Sequence, residues 1–221
     1  PLGIKAIKEL QKKYGLSADG IAGRETITVI NNLLNGKKVA VKSSASPKTQ
    51  GSQKPQKTNN SNSEYKLSWD KAQRILKRGG SAKIYDIGTG LSFNIKRTYG
   101  TNHADCEPLT KEDTAIMKKI YGGSWSWARR AVIVTVGDTH IAASMAGMPH
   151  AGSDKYAANK TISSRSGGYG RGTNLDAVKG NDMNGHFDLH FYKSKTHASN
   201  RVDSKHQSQV NRATEWAKKN L

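Results

Sequence analysis

The chain has 221 residues, of which 34% are apolar, and its 36 Lys and Arg against 17 Asp and Glu give a net charge of +19. That length suits one ordinary domain plus a small one. No apolar run approaches the ~20 residues of a membrane-spanning helix, and a single cysteine, Cys106, excludes an internal disulfide framework or a Cys-rich zinc module. So large a positive charge attracts a polyanion, whether nucleic acid, anionic lipid or an anionic cell wall. The sequence starts at Pro1 and contains no Met-initiated, charged-then-apolar leader, so it reads as a mature form or a fragment, with export to be inferred from other features.

Ile4, Ile7, Leu10 and Tyr14 recur at helical spacing before a stop at Gly15. The turn Ser17-Ala18-Asp19-Gly20 then leads through Gly23 to a second apolar helix with Ile27, Ile30, Leu33 and Leu34. Residues 1–34 are therefore expected to form a small all-α helical module. Residues 35–64 lack any large apolar side chain after Val41 and are rich in Ser, Lys, Gln, Asn and Pro. Such a segment cannot bury enough surface to offset its ordering entropy, which predicts a flexible basic linker.

From residue 65 to 221 the pattern is mixed. A short helix, Trp69 to Lys77, is expected after Ser68, and Ala82–Ile87 with Leu91–Lys96 predicts a β-hairpin around Gly88-Thr89-Gly90. Thr110 to Asp113 reads as a helix start that carries Ile116 and Ile120 inward. Ala131–Val136 and His140–Met145 form a second hairpin across Gly137-Asp138. A Gly/Ser/Asn-rich stretch fills 151–181, Gly185–Tyr192 reads as a strand, and Asp203 caps a last helix with Val210, Ala213 and Trp216. The expected fold class is α+β: a largely antiparallel sheet with flanking helices, preceded by the small all-α module.

Histidines concentrate where chemistry is expected. His103, Asp105 and Glu107 occupy alternate positions, as do His186, Asp188 and His190, whose intervening residues are Phe187 and Leu189. In extended chain each set lies on one face, and imidazole with carboxylate is the ligand set of catalytic zinc. Strand residues four apart are separated by about 13 Å, so His186 and His190 are not both expected to hold one ion; one would be a ligand and the other a general base or transition-state stabiliser. His103 and Asp105 can share an ion more easily. Histidines that are merely structural or solvent-facing compete with this reading. Cys106 is opposite in phase to His103 and Asp105, which turns it toward the core, away from the thiolate chemistry that a neighbouring imidazole could otherwise activate.

Two stretches resemble known families. The phrase IKELQKKYGLSADGIAGRETITVINNL resembles the second half of the common bacterial peptidoglycan-binding repeat, with Leu10, Gln11, Gly15, Leu16, Asp19, Gly20, Gly23 and Thr26 in place. Residues 67–210, through LSWDKAQRILKRGG, TNHADCEPLTKEDTAIMKKIYGGSWSWARR, IAASMAGMPH and NGHFDLHFYKSKTHASNRVDSKHQ, resemble a domain of Gram-positive bacterial proteins described as a zinc-dependent amidase or peptidase. An early His/Asp motif and a late two-His motif are similar in plan to the lysostaphin and D-Ala-D-Ala metallopeptidase group. The spacing departs from that group: three residues, not one, separate His186 from His190.

The resemblance implies that His103, Asp105 and His190 hold Zn²⁺, that His186 or Glu107 takes the proton, and that His197 stabilises an oxyanion or supports a ligand. Arg129, Arg130 and the 151–181 stretch would contact substrate, and Trp125 and Trp127 would stack on sugar or pack. The implied protein is an extracellular, wall-associated hydrolase, secreted or phage-delivered. Its partners would be peptidoglycan and anionic wall polymers, with no nucleic acid and no membrane span. The alternative is a non-catalytic peptidoglycan-binding protein with structural histidines. A nucleic-acid binder has only the charge in its favour, because no DNA- or RNA-binding motif accompanies it.

Overall fold

The computed structural model describes residues 2–16, 18, 26, 29, 30, 33 and 64–221. The chain divides into two units, Pro1–Thr58 with Asn220–Leu221, and Asn59–Lys219. Apart from Glu64, the expected linker over 35–64 lies outside the described residues, as do Asp19, Gly20 and Gly23 of the N-terminal motif.

In the first unit α1 spans Leu2–Lys13, with Lys12 and Lys13 in its last turn, where cations complement the helix dipole. Gly15 ends it at φ +68, a left-handed conformation that suits glycine. There the Leu16 N–H donates to the Gln11 carbonyl at 2.8 Å. Two residues of the sequence motif meet, the buried Gln11 Nε2 donating to the buried Thr26 Oγ1 at 3.0 Å.

The second unit is built from β1 (Ser81–Asp86), β2 (Ser92–Tyr99), β3 (Ala104–Pro108), β4 (Arg129–Val136), β5 (Thr139–His150) and β8 (His186–His190), with α2 (Trp69–Ile75), α3 (Lys111–Ile120) and α4 (Ser204–Asn220). The short β6 (Thr161–Ile162) and β7 (Gly172–Thr173) pair only with each other. The six long strands close in the order β1-β2-β3-β8-β5-β4, every neighbouring pair antiparallel.

This corrects the expected fold class. Residues 65–221 are not an open sheet with flanking helices but a closed barrel, because β1 pairs a second time with β4 (Ile84↔Val134) and β3 pairs with β8 (Asp105↔Asp188). The small all-α module expected over residues 1–34 is corrected as well, to a short N-terminal helix. Among the described residues their longest helix is α1, at 12 residues, short for a helix without tertiary support.

Strand alternation sorts the side chains. Ile84, Phe93, Ile95, Ala104, Cys106, Val132, Val134, Ile141, Ala143, Met145, Phe187 and Leu189 belong to one buried apolar cluster, as a small barrel filled by its own side chains requires. The alternate residues of β3, β5 and β8 therefore face outward. On that outer side α4 lays Ala213 and Ala217 against Ala131, Ile133 and Ala142, and Trp216 stacks 5.2 Å from Tyr85. Two N-terminal caps act as the sequence indicates. Thr110 Oγ1 accepts from the Asp113 N–H at 3.1 Å, and Asp203 Oδ1 accepts from the His206 N–H at 3.0 Å.

Candidate metal centre

The outward faces of β3 and β8 carry the histidines and carboxylates, yet these side chains are buried: His103, Asp105, His150, His186 and His190 expose 4% or less. Asp105 and Asp188 are register partners across the ladder, and His150 of β5 is the partner of His186. Like charges directly opposed across a strand pair are destabilising unless something positive lies between them.

Local structure aims each imidazole. Buried Arg97 donates to the carbonyls of Leu76 (2.8 Å) and Gly100 (2.9 Å), pinning the β2–β3 turn that delivers His103. Trp69 Nε1 donates to the Thr101 carbonyl at 2.7 Å in the same turn. Gly100 sits at φ +90, and a Cβ there would collide with the His103 carbonyl and the Asp105 backbone. Gly185, at φ +88, lies equally close to the His150 carbonyl. The Gly-rich stretch is held by buried groups: Asn174 donates to the carbonyls of Ser153, Tyr156 and Ala157, and Asp176 accepts from the Gly185 N–H at 2.6 Å.

Three imidazoles share one arrangement. Their Nδ1 atoms lie 2.8 Å (His103), 3.0 Å (His150) and 3.1 Å (His186) from the backbone carbonyls of Lys195, Met148 and Leu175. A carbonyl only accepts, so each Nδ1 carries the hydrogen and, in a neutral ring, each Nε2 carries the lone pair. Those Nε2 atoms face carboxylates. His103 is 2.9 Å from Asp188 Oδ1 and 3.3 Å from Asp105 Oδ1, His150 is 3.4 Å from Asp188 Oδ1, and His186 is 3.6 Å from Asp105 Oδ2. His197 brings its Nε2 to 3.1 Å from Asp105 Oδ1.

Lone pair against carboxylate is repulsive unless a proton or a cation intervenes. Ligand atoms about 2.0–2.1 Å from a tetrahedral ion stand roughly 3.3 Å apart, in the range observed. A ring held through Nδ1 by a second hydrogen-bonding partner is also the usual support of a metal ligand. The residues thus fit a divalent cation of the zinc type.

Electrostatics agrees with the geometry. Burial opposes a charge on His103 and His150, but the hydrogen bond and charge of Asp188 outweigh it and raise both above an ordinary histidine. Burial likewise opposes the Asp188 carboxylate, and His103 and His150 nevertheless hold it well below the usual range. His190 differs: burial, then its positive neighbours, press it far down, so it is neutral. Its ring is stacked between His103 (4.2 Å) and His206 (3.8 Å), and its buried Nδ1 has no hydrogen-bond partner. Burial and Arg129 bring His206 down to about 4, while its Nδ1 lies 2.8 Å from Ser144 Oγ.

Of the residues expected from sequence, the structure brings together His103 and Asp105, with His186 facing the far oxygen of Asp105. His190 groups with His103 and Asp188 rather than with Asp105. Glu107 is held apart by its bonds, its two oxygens accepting from the N–H groups of Ala177 and Val178 at 2.9–3.1 Å. It anchors a loop, and burial pushes its pKa up to about 7. Arg130 makes a two-pronged pair with Asp86 (2.7 Å each), and Arg129 pairs with Asp203 at 2.9 Å, so both are engaged within the protein. Cys106 is fully buried in the barrel.

Sequence reasoning placed Asp188 on the site face without giving it a role, and it missed His150 and His206. Asp188 was already on the right strand face between two histidines, which was signal enough; His150 lies beyond a register shift in β5, and His206 sits on a helix, where no period links them to the others. At the rim, Trp127 is 41% and Tyr169 44% exposed, their rings 5.2 and 5.6 Å from that of His150. Trp125 packs against the barrel core instead.

Neither the curated proteins nor the solved structures provide a match to this chain. No described helix is long and apolar enough to cross a membrane. Residues 4–30 match the family model described as a putative peptidoglycan binding domain, which supports an association with the cell wall.

Proposed function

We propose that the protein is a metal-dependent hydrolase of the cell wall: its N-terminal segment binds peptidoglycan, and the His/Asp centre, with Zn²⁺ as the cation, cleaves an amide or peptide bond in the stem peptides. The observation that carries this reading is the group of three backbone-anchored imidazoles whose Nε2 atoms converge on two opposed carboxylates. The peptidoglycan-binding segment supports the substrate class, and such a substrate places the protein outside the cytoplasm, at the wall.

His103, Asp105 and His197 are the residues to hold the ion. The rings of His103 and His190 are stacked at 20° with centroids 4.2 Å apart, so their in-plane lone pairs lie in nearly parallel, separated planes and converge poorly. The His197 ring is tilted 47° to that of His103, and both Nε2 atoms meet the same oxygen of Asp105. When bound, such a cation polarises the scissile carbonyl and lowers the pKa of a water.

The chain's own residues orient the ligands and shape the approach. The Lys195 carbonyl fixes the His103 tautomer, and the barrel wall keeps bulk water from the inner side of the centre. The His197 side chain, 44% exposed, marks the open side from which substrate approaches. Trp127 and Tyr169, packed against the His150 ring, offer aromatic faces to a sugar ring or a peptide. Glu107 takes no proton in this reading, because its oxygens hold the 177–178 backbone.

The test is digestion of purified sacculi by the full chain. Metal-loaded protein is expected to release free amines, and mass spectrometry of the fragments identifies the broken bond. Amine release that survives complete removal of divalent metal would reject the mechanism. No release from loaded protein that still binds sacculi would leave a wall-binding protein whose histidines pair with Asp105 and Asp188 as imidazolium ions.

A further inference from the structure

One tetrahedral ion cannot account for the whole cluster. Two groups of possible ligands share no residue: His103, Asp105 and His197 form one, and His150, His186 and Asp188 the other. In each, the three ligand atoms lie within 4.8 Å of one another. An ion at the first group leaves the second with the same conflict, two anchored imidazoles whose Nε2 lone pairs face carboxylate oxygens.

Asp105 links the groups. Its Oδ1 faces His103 and His197, at 3.3 and 3.1 Å, while its Oδ2 faces His186 at 3.6 Å. A carboxylate whose two oxygens serve two different imidazole sets has the form of a bridge between two cations. The backbone is also shaped around the second group. His150 and His186 are register partners, a register shift in β5 precedes His150, and two glycines of positive φ, Gly167 and Gly185, crowd against His150 where no Cβ would fit.

We infer that the barrel wall carries a two-cation centre, in which His150, His186 and Asp188 hold a second divalent ion beside the first, with the Asp105 carboxylate bridging them. The inference rests on the reading that His103, Asp105 and His197 hold a cation, and adds a site to it. It also gives His186 a ligand's place, so that no histidine of the second group is left to act as a free base.

The experiment is metal titration of the full, metal-stripped chain with Zn²⁺, by calorimetry and by elemental analysis after gel filtration against a competing chelator. Two equivalents per chain are expected, falling to one in His150→Ala and in the milder His150→Gln. Co²⁺ loading reads the bridge without any variant: the electron paramagnetic resonance signal per ion should drop as the second equivalent enters, through coupling across Asp105. One equivalent in the wild-type chain, unchanged by His150→Ala, overturns the second site and leaves the first standing. No bound metal at all overturns both. Two equivalents with an uncoupled Co²⁺ signal overturn the bridge.

Discussion

Asp105 and Asp188 are register partners on adjacent strands, and imidazole nitrogens stand within 3.6 Å of each carboxylate. Two like charges so opposed need positive groups beside them, and four histidines from β5, β8 and two loops stand there.

Replacing one of these carboxylates should therefore do more than remove a ligand. In Asp188→Asn, His103 and His150 lose the charge that balances them, and breaking a buried charge pair costs about 3–5 kcal/mol. Denaturant unfolding of the metal-free variant should show a loss in that range, together with loss of hydrolysis. A variant as stable as the parent would mean that Asp188 is not the counter-charge of these rings.

The metal-free and loaded forms should respond to pH in opposite senses. His103 and His150 have raised folded-state pKa values, so their stabilising pairs with Asp188 are fully present below the ordinary histidine value, about 6.5, and are lost as pH rises through the raised ones. Glu107 acts in the same direction up to about 7, because the unfolded chain ionises it first. The lowered values of His186, His190 and His206 add nothing above 6.5, where these rings are neutral in both states. The melting temperature of stripped protein should fall between pH 6.5 and 8.5, whereas the increment produced by Zn²⁺ should grow as protons leave the ligands. Parallel curves would count against a metal centre.

Glu107 offers a contrast between anchoring and chemistry. Glu107→Gln leaves the Ala177 or Val178 N–H without its acceptor, at a cost of about 1–3 kcal/mol. Amide exchange over 174–178 should accelerate, while the pH profile of hydrolysis keeps its shape. A lost acidic limb in that profile with unchanged exchange would instead make Glu107 the proton acceptor.

Gly185→Ala should be costly, since residue 185 stands at φ +88 against the His150 carbonyl. A strained non-glycine conformation costs on the order of 1–3 kcal/mol before the collision is counted. The affinity for Zn²⁺ should fall along with thermal stability. Gly123→Ala, also at positive φ but with nothing within 4 Å, controls for strain without displacement of His150.

Wall binding should depend on both the N-terminal segment and the charge of +19. Removing residues 1–58, the first unit apart from its C-terminal pair, should weaken sedimentation with sacculi. Raising salt should release part of the remainder, because exposed charges beyond ~10 Å are screened at 0.1 M. Unchanged binding by the truncated chain would move recognition to the barrel.

Much of this was legible in the sequence because it is local. The alternation of His186, Asp188 and His190 with Phe187 and Leu189 correctly separated the site face from the core face of β8, and both hairpins follow from short Gly-bearing turns. Cys106 pointed inward for the same reason. Barrel closure was not legible, since it depends on β1 meeting β4 and β3 meeting β8 across long stretches of chain, and no periodicity encodes partner choice. For the same reason His150 joined the site only once a register shift in β5 had brought it there. The linker up to residue 63, and Asp19, Gly20 and Gly23 of the N-terminal motif, lie outside the described residues.

The path of β5 has a practical corollary. From Thr139 to His150 the strand runs about 35 Å at ~3.3 Å per residue, which sets the Gly137-Asp138 tip at one end and the imidazoles at the other. A fluorophore or affinity handle grafted into that tip would ride on the rigid wall while leaving the coordinating side chains untouched. It is the natural place to immobilise the protein for single-molecule work on intact sacculi.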